Sequence, residues 1–277
     1  MHKGAIGIFD SGYGGLTILK DIEQKLPEYS FIYLGDNARA PYGSRSFETV
    51  YQYTWQAVQW FFSQGCHLVV IACNTASAKA LRNIQQNNLP SLSNNLKRVL
   101  GVIRPTAEVI GNYTNTNNIG ILGTTGTIQS KSYILEIEKF FPSIKVYQQA
   151  CPMWVPLIEN NEYNSKGADY FVKKYINQLT EQSADIDSIL LACTHYPLLI
   201  NKIREYAPAD MAIVTQGEIV ATSLSQYLNR HQQLDAICKK EGSTNFFTTD
   251  DPLMFNKQAS IFYGKAVESN YVSLHLL

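Results

Sequence analysis

No apolar run in the 277 residues approaches the roughly 20 needed to cross a bilayer. The opening Met1-His2-Lys3-Gly4 leads into a strand without the apolar core of a signal peptide, so the expected location is the cytoplasm. An excess of either charge is missing too, since 23 Lys+Arg balance 23 Asp+Glu. A chain with no bulk field has nothing to hold nucleic acid or an anionic membrane, which leaves small molecules as the expected partners. Cysteine is scarce: Cys66, Cys73, Cys151, Cys193 and Cys238 are odd in number and too widely spaced for a disulfide framework. Reduced thiols are the expectation. A nucleotide loop is absent as well, because Ser11-Gly12-Tyr13-Gly14-Gly15 is not followed by Gly-Lys-Ser/Thr and Thr17 occupies the third glycine position of the dinucleotide pattern. What that turn does offer is backbone N–H groups able to approach a small anion, with Asp10 beside them as helix cap or functional carboxylate.

What the chain does have is one design written twice. Leu68-Val69-Val70-Ile71-Ala72-Cys73 reads as a buried parallel strand ending in a cysteine, and Asn74-Thr75-Ala76-Ser77 opens a helix directly after it. Ser188-Ile189-Leu190-Leu191-Ala192-Cys193-Thr194-His195 repeats the pattern. Upstream, Ile6-Gly7-Ile8-Phe9-Asp10-Ser11-Gly12 parallels Ile119-Gly120-Ile121-Leu122-Gly123-Thr124-Thr125. Gly7 and Gly120 lie 113 residues apart and the two cysteines 120, a spacing far too long for a solenoid and suited to a duplicated domain. The partial positive charge of a helix start favours thiolate at such a strand end, although a cysteine there can also be only a small buried hydrophobe.

Strand and helix signals alternate throughout, which predicts an α/β protein of two pseudo-symmetric doubly wound parallel-sheet domains with the active site in the cleft between them. Ser46 is expected to cap a helix with Val50, Thr54, Val58, Phe61 and Phe62 on one face. The Asn- and Ser-rich stretch Asn87 to Asn95 breaks the composition, and Arg98 to Arg104 is read as a strand opening the second half. Cys151 to Glu159, with Pro152 and Pro156, is read as a tightly shaped loop delivering Glu159. A strand over Asn245 to Thr249 and a helix over Asp251 to Tyr263 have no counterpart in the other half. The chain is therefore expected to return to its first domain: 1–97 plus 213–277 form one unit and 98–212 the other. Arg39 and Arg45 are candidates for a carboxylate clamp.

Two homologous domains facing each other would present Cys73 and Cys193 on opposite walls of one cleft. Racemisation at a stereogenic carbon needs such a pair: one thiolate removes the α-proton while the opposing thiol protonates the other face. Glycine-rich turns and helix starts would stabilise the carbanion-like transition state, with Asp10, Glu159 and His195 as acid or base partners of the thiols. Half a zinc site at Cys193-Thr194-His195 would need four clustered ligands that the other cysteines do not supply, a single-cysteine hydrolase would leave the second Ala-Cys strand unexplained, and strand-end thiols in a cytosolic chain argue against a disulfide; a non-catalytic two-domain amino acid binding protein remains the alternative.

Gly7-Ile8-Phe9-Asp10-Ser11-Gly12 with Gly14-Gly15-Leu16, Pro41-Tyr42-Gly43, Ala72-Cys73-Asn74-Thr75-Ala76-Ser77, Gly101-Val102-Ile103, Cys151-Pro152 through Glu159, and Cys193-Thr194-His195-Tyr196-Pro197-Leu198 resemble the glutamate racemases of the aspartate/glutamate racemase superfamily. The resemblance implies interconversion of L- and D-glutamate for peptidoglycan synthesis without pyridoxal phosphate, other cofactor or metal. It implies that Cys73 and Cys193 are the acid/base thiols, assisted by Asp10, Glu159 and His195. Substrate contacts would come from Asp10, Ser11, Tyr42, Gly43, Asn74, Thr75, Thr194 and His195. His195 favours glutamate over aspartate, for aspartate racemases usually carry an acidic residue there. Aspartate or another amino acid as substrate stays the near alternative, and a homodimer is one of the assembly states the family adopts. One position departs from the family pattern: Pro105 is followed by Thr106 where a Pro-Gly pair is usual.

Overall fold

The structure, a computed structural model, describes residues 3–92 and 96–274. The last part of the expected break, Ser93 to Asn95, and the opening Met1-His2 lie outside them. The strands are β1 (Ile6–Asp10), β2 (Phe31–Gly35), β3 (Leu68–Ile71), β4 (Arg98–Gly101), β5 (Asn118–Gly123), β6 (Lys145–Ala150), β7 (Ser188–Ala192), β8 (Ala212–Val214), β9 (Thr244–Thr248) and β10 (Ser269–Tyr271). They form a six-stranded sheet, order β10-β9-β2-β1-β3-β4, and a four-stranded sheet, order β6-β5-β7-β8, with every pairing parallel. Strands of this kind are covered by helices on both faces, so Leu68 to Ile71 and Ser188 to Ala192 are buried at every position.

The order β2-β1-β3-β4 in one sheet is matched by β6-β5-β7-β8 in the other. The central glycines serve the same purpose in each. A Cβ on Gly7 would stand 2.6 Å from the Phe61 ring, and one on Gly120 would stand 2.5 Å from Leu179. In both sheets a helix side chain lies directly against the middle strand, which only glycine permits.

Three expectations need correction. Arg98–Gly101 is the edge strand of the first sheet, Leu68 pairing with Arg98 and Ile71 with Gly101, so the border between the sheets falls after Gly101 rather than before Arg98. The chain then turns into the helix Ile103–Ala107, where Thr106 Oγ1 bonds the Val102 carbonyl at 2.8 Å and closes a helical turn instead of extending a strand. The segment read as a loop after Cys151 contains the helix Trp154–Glu159. Pro156 falls in its first turn, where the missing N–H has no helical partner to lose. The expected return at 213 also shifts, because β8 (Ala212–Val214) belongs to the second sheet; only after it does the helix Gly217–Arg230 pack on the helix Leu16–Lys25, with β9 and β10 extending the first sheet. Ser46 caps the helix Phe47–Ser63 as expected, accepting the Thr49 N–H at 3.1 Å. Among the described residues, no helix is long and apolar enough to cross a membrane.

Candidate active site

A doubly wound sheet opens a crevice at the carboxyl ends of the strands where the order of strands reverses. In the first sheet that point lies between β1 and β3, at Asp10-Ser11 and Cys73. In the second it lies between β5 and β7, at Gly123-Thr124 and Cys193. The duplicated sequence pattern thus marks both crevices, and they face each other.

β3 ends two residues before Cys73, which caps the helix Asn74–Lys79 with its Sγ accepting the Ala76 N–H at 3.4 Å. The same sulfur donates to Ser11 Oγ at 3.5 Å. This helix start does not make the thiol acidic. Burial above all, then the Asp10 carboxylate, push it up to about 12 against the opposing bonds from Ser11 and Ala76. Cys73 therefore holds its proton near neutrality.

His195 reaches the opposite state. Burial would drive its imidazole toward neutrality, but hydrogen bonds with Cys193 and Glu159, reinforced by their charge, raise it to about 10. Its Nε2 lies 2.9 Å from Glu159 Oε1, and its ring meets Phe262 edge-on. A protonated imidazole thus stands between Cys193 and Glu159 near neutral pH.

Asp10 joins the two crevices. It is fully buried, accepts the Gly12 N–H at 3.0 Å, and receives the Thr194 hydroxyl from the second sheet at 3.4 Å. Burial pushes its carboxyl up and the His195 charge opposes. The charge of Cys193 also acts on Cys73. The expected residues Cys73, Cys193, Asp10, Ser11, Thr194, His195 and Glu159 therefore form one cluster, with a sulfur from each sheet.

The remaining expected contacts lie along the seam. Thr75 Oγ1 is 2.9 Å from Thr124 Oγ1 and 3.3 Å from Thr127 Oγ1, and the Gly43 carbonyl accepts the Gly126 N–H at 2.8 Å. Tyr42 is buried and its hydroxyl donates to Asp36, so toward the crevice it offers backbone rather than its OH. Asp36 also takes the Thr249 hydroxyl at 2.8 Å and the Arg39 guanidinium at 2.8 Å. Arg39 uses Nε on Asp36 and Nη1 on Gln56, leaving its buried Nη2 without a partner among the described residues, and Arg45 is exposed. A cavity of about 70 Å³ adjoins Cys193, lined also by Thr17, Asp21, Thr194, Gln216 and Gly217, but Cys73 is not on its wall. All five cysteines are free.

Residue-type reasoning passed over Thr124 and Thr127. Thr124 stands where Ser11 stands in the first copy, so the duplication carried that signal. Gln216 and Tyr133, described below, left none.

The model of the Asp/Glu/Hydantoin racemase family matches residues 11–223. The chain belongs to this family. A glutamate racemase of Geobacter metallireducens is 38% identical over 261 residues, covering 94% of this chain and 93% of that protein. The crystal structure of a glutamate racemase isoform of Bacillus anthracis superposes with a TM-score of 0.89 at 34% identity, covering 99% of each chain. That of the Francisella tularensis glutamate racemase, in complex with D-glutamate, gives 0.87 at 30% identity and covers 100% of each. By this membership the chain is an enzyme, an amino acid racemase and hence an isomerase.

Close contact across the racemase seam exposes it to a single methyl group. A Cβ on Gly14 would meet Thr194 Oγ1 at 2.2 Å and His195 Nδ1 at 2.4 Å. Gly14→Ala is expected to lower kcat/KM at least ~10-fold and destabilise by about 1–3 kcal/mol through overpacking. Turnover and urea unfolding of the purified variant measure the two effects.

Proposed function

We propose that the chain interconverts L- and D-glutamate without a cofactor, Cys73 and Cys193 exchanging the roles of acid and base. The single observation behind this is the placement of one thiol at the switch point of each sheet around the shared Asp10-Thr194-His195 cluster. At one thiolate the Cα–H bond breaks and its proton forms an S–H bond, while the electron pair delocalises into the substrate carboxylate. At the other face a thiol S–H bond breaks and its proton joins Cα. The reverse direction swaps the two sulfurs.

The resting states of Cys73 and His195 suit such a relay. Cys73 keeps its proton and serves as the acid, while Cys193, hydrogen-bonded to the His195 imidazolium, serves as the base. Backbone N–H groups of the Ser11–Gly15 turn and of the helix after Thr124 are preorganised donors for the substrate carboxylates and the charge that develops on them. Ser11, Tyr42, Gly43, Asn74, Thr75, Thr194 and His195 line the substrate, with Tyr42 contributing its main chain. Admission of substrate requires the Gly43–Gly126 and Thr75–Thr124 contacts to part. Production of D-glutamate for peptidoglycan in the cytoplasm is the corresponding cellular role.

Incubation with L-glutamate in deuterium oxide is expected to give loss of optical rotation together with deuterium at the α-carbon. Folded protein producing neither, or acting on aspartate in preference to glutamate, would overturn the assignment.

A further inference from the structure

Behind Cys73 three side chains close a ring that the proton relay does not use. Asn74 Nδ2 donates to Gln216 Oε1 at 2.7 Å, Gln216 Nε2 donates to the Tyr133 oxygen at 2.7 Å, and the Tyr133 hydroxyl donates to Asn74 Oδ1 at 2.6 Å. The second hydrogen of Gln216 Nε2 goes to Thr106 Oγ1 at 2.8 Å, and Thr106 in turn donates to the Val102 carbonyl at 2.8 Å. All four side chains are buried, Tyr133 and Thr106 completely. The Val102 carbonyl, 3.4 Å from Gln216 Nε2 and already accepting from Thr106, sets the sense of the circuit: reversing the Gln216 amide would turn its oxygen toward that carbonyl oxygen.

The ring spans the seam. Asn74 opens the helix that begins at Cys73 in the first sheet's half, whereas Gln216 follows β8 and Tyr133 lies on the helix Ser132–Phe140 that follows β5, both of the second sheet. With Oδ1 held by Tyr133 and one N–H held by Gln216, Asn74 retains one amide hydrogen in a fixed direction. Thr106, the one position that departs from the family pattern, supplies the acceptor that locks Gln216; a glycine there has no such group.

The geometry points to Gln216 as a positioning residue, which clamps the Asn74 amide from the opposite sheet and presents its remaining N–H to the substrate. This role in turnover rests on the glutamate chemistry proposed above, and two readouts keep the two apart.

Gln216→Met preserves the shape and removes both amide functions. It is expected to raise the KM for glutamate about 10-fold with kcat changed less than about 3-fold, since Asn74 holds substrate and transition state alike. In an Asn74→Ala background the same substitution should change KM less than 2-fold, because the group it acts through is gone. Thr106→Val, which leaves Gln216 in place but takes away an acceptor, should raise KM about 3-fold. Effects of Gln216→Met and Asn74→Ala that multiply independently, or a loss confined to kcat, would overturn the assignment. In the substrate-free protein, the Asn74 side-chain amide proton bonded to Gln216 should exchange slowly with solvent by NMR and lose that protection in Gln216→Met. Unchanged protection would refute the ring, whereas an intact ring in a wild-type protein inert toward glutamate would refute the activity alone.

Discussion

Serine at Cys193, or at Cys73, stops net interconversion of the glutamate enantiomers. General acid–base catalysis by one group is worth about 10²–10⁴-fold, and a hydroxyl is so weak an acid and so poor a base here that a loss of at least ~10³-fold in racemisation is expected. The loss is not symmetric in its details. Each variant keeps one working sulfur, so each should still wash the α-proton out of one enantiomer into deuterium oxide, and the two variants should favour opposite enantiomers. Polarimetry follows the first effect and proton NMR of the α-position the second. Full racemisation by either variant contradicts the two-thiol scheme.

The second large effect belongs to His195. With its imidazole raised to about 10 by Cys193 and Glu159, overcoming burial, the cation persists through the neutral range and is lost only as pH approaches that value. Wild-type kcat/KM is expected to fall along an alkaline limb near pH 10. His195→Asn removes the cation held between Cys193 and Glu159, so kcat should drop about 10²-fold and the limb should disappear. Stability carries the same signature. A group whose folded value lies above the unfolded value near 6.5 contributes fully below that value and loses its contribution as pH rises toward about 10. Unfolding free energies measured across that window should converge for wild type and His195→Asn at the alkaline end. A variant with an unaltered alkaline limb would show that His195 does not govern it.

Much of the site could be read from the chain because it was written twice. Each Ala-Cys strand gains meaning from the other, and the equivalence of β1 with β5 and β3 with β7 places both sulfurs at switch points. Asp10, Glu159 and His195 stood beside those strands or at the end of a constrained segment. The ionisation of Cys73 was misjudged, because the field of a helix start is visible in sequence whereas burial beside Asp10 is not. Arg39 looked available until Asp36, Gln56 and the face of Tyr53 engaged it. The strand over Arg98 to Arg104 was read too far because Val102 and Ile103 are strand-like by type, whereas the backbone turns into the helix Ile103–Ala107 after Gly101. The Asn74–Gln216 bond joins residues 142 apart, a separation at which no local pattern operates.

Two sulfurs on opposite sides of one carbon make a claim about the fate of a single hydrogen. Starting from α-protiated L-glutamate in deuterium oxide and stopping at low conversion, mass spectrometry of the separated enantiomers reads it directly. The D-glutamate formed should carry deuterium at Cα in every molecule, since its proton comes from the second thiol, while the remaining L-glutamate stays largely protiated. Early D-glutamate that retains the α-protium of its parent would mean that one group serves both faces, and would contradict the two-thiol mechanism.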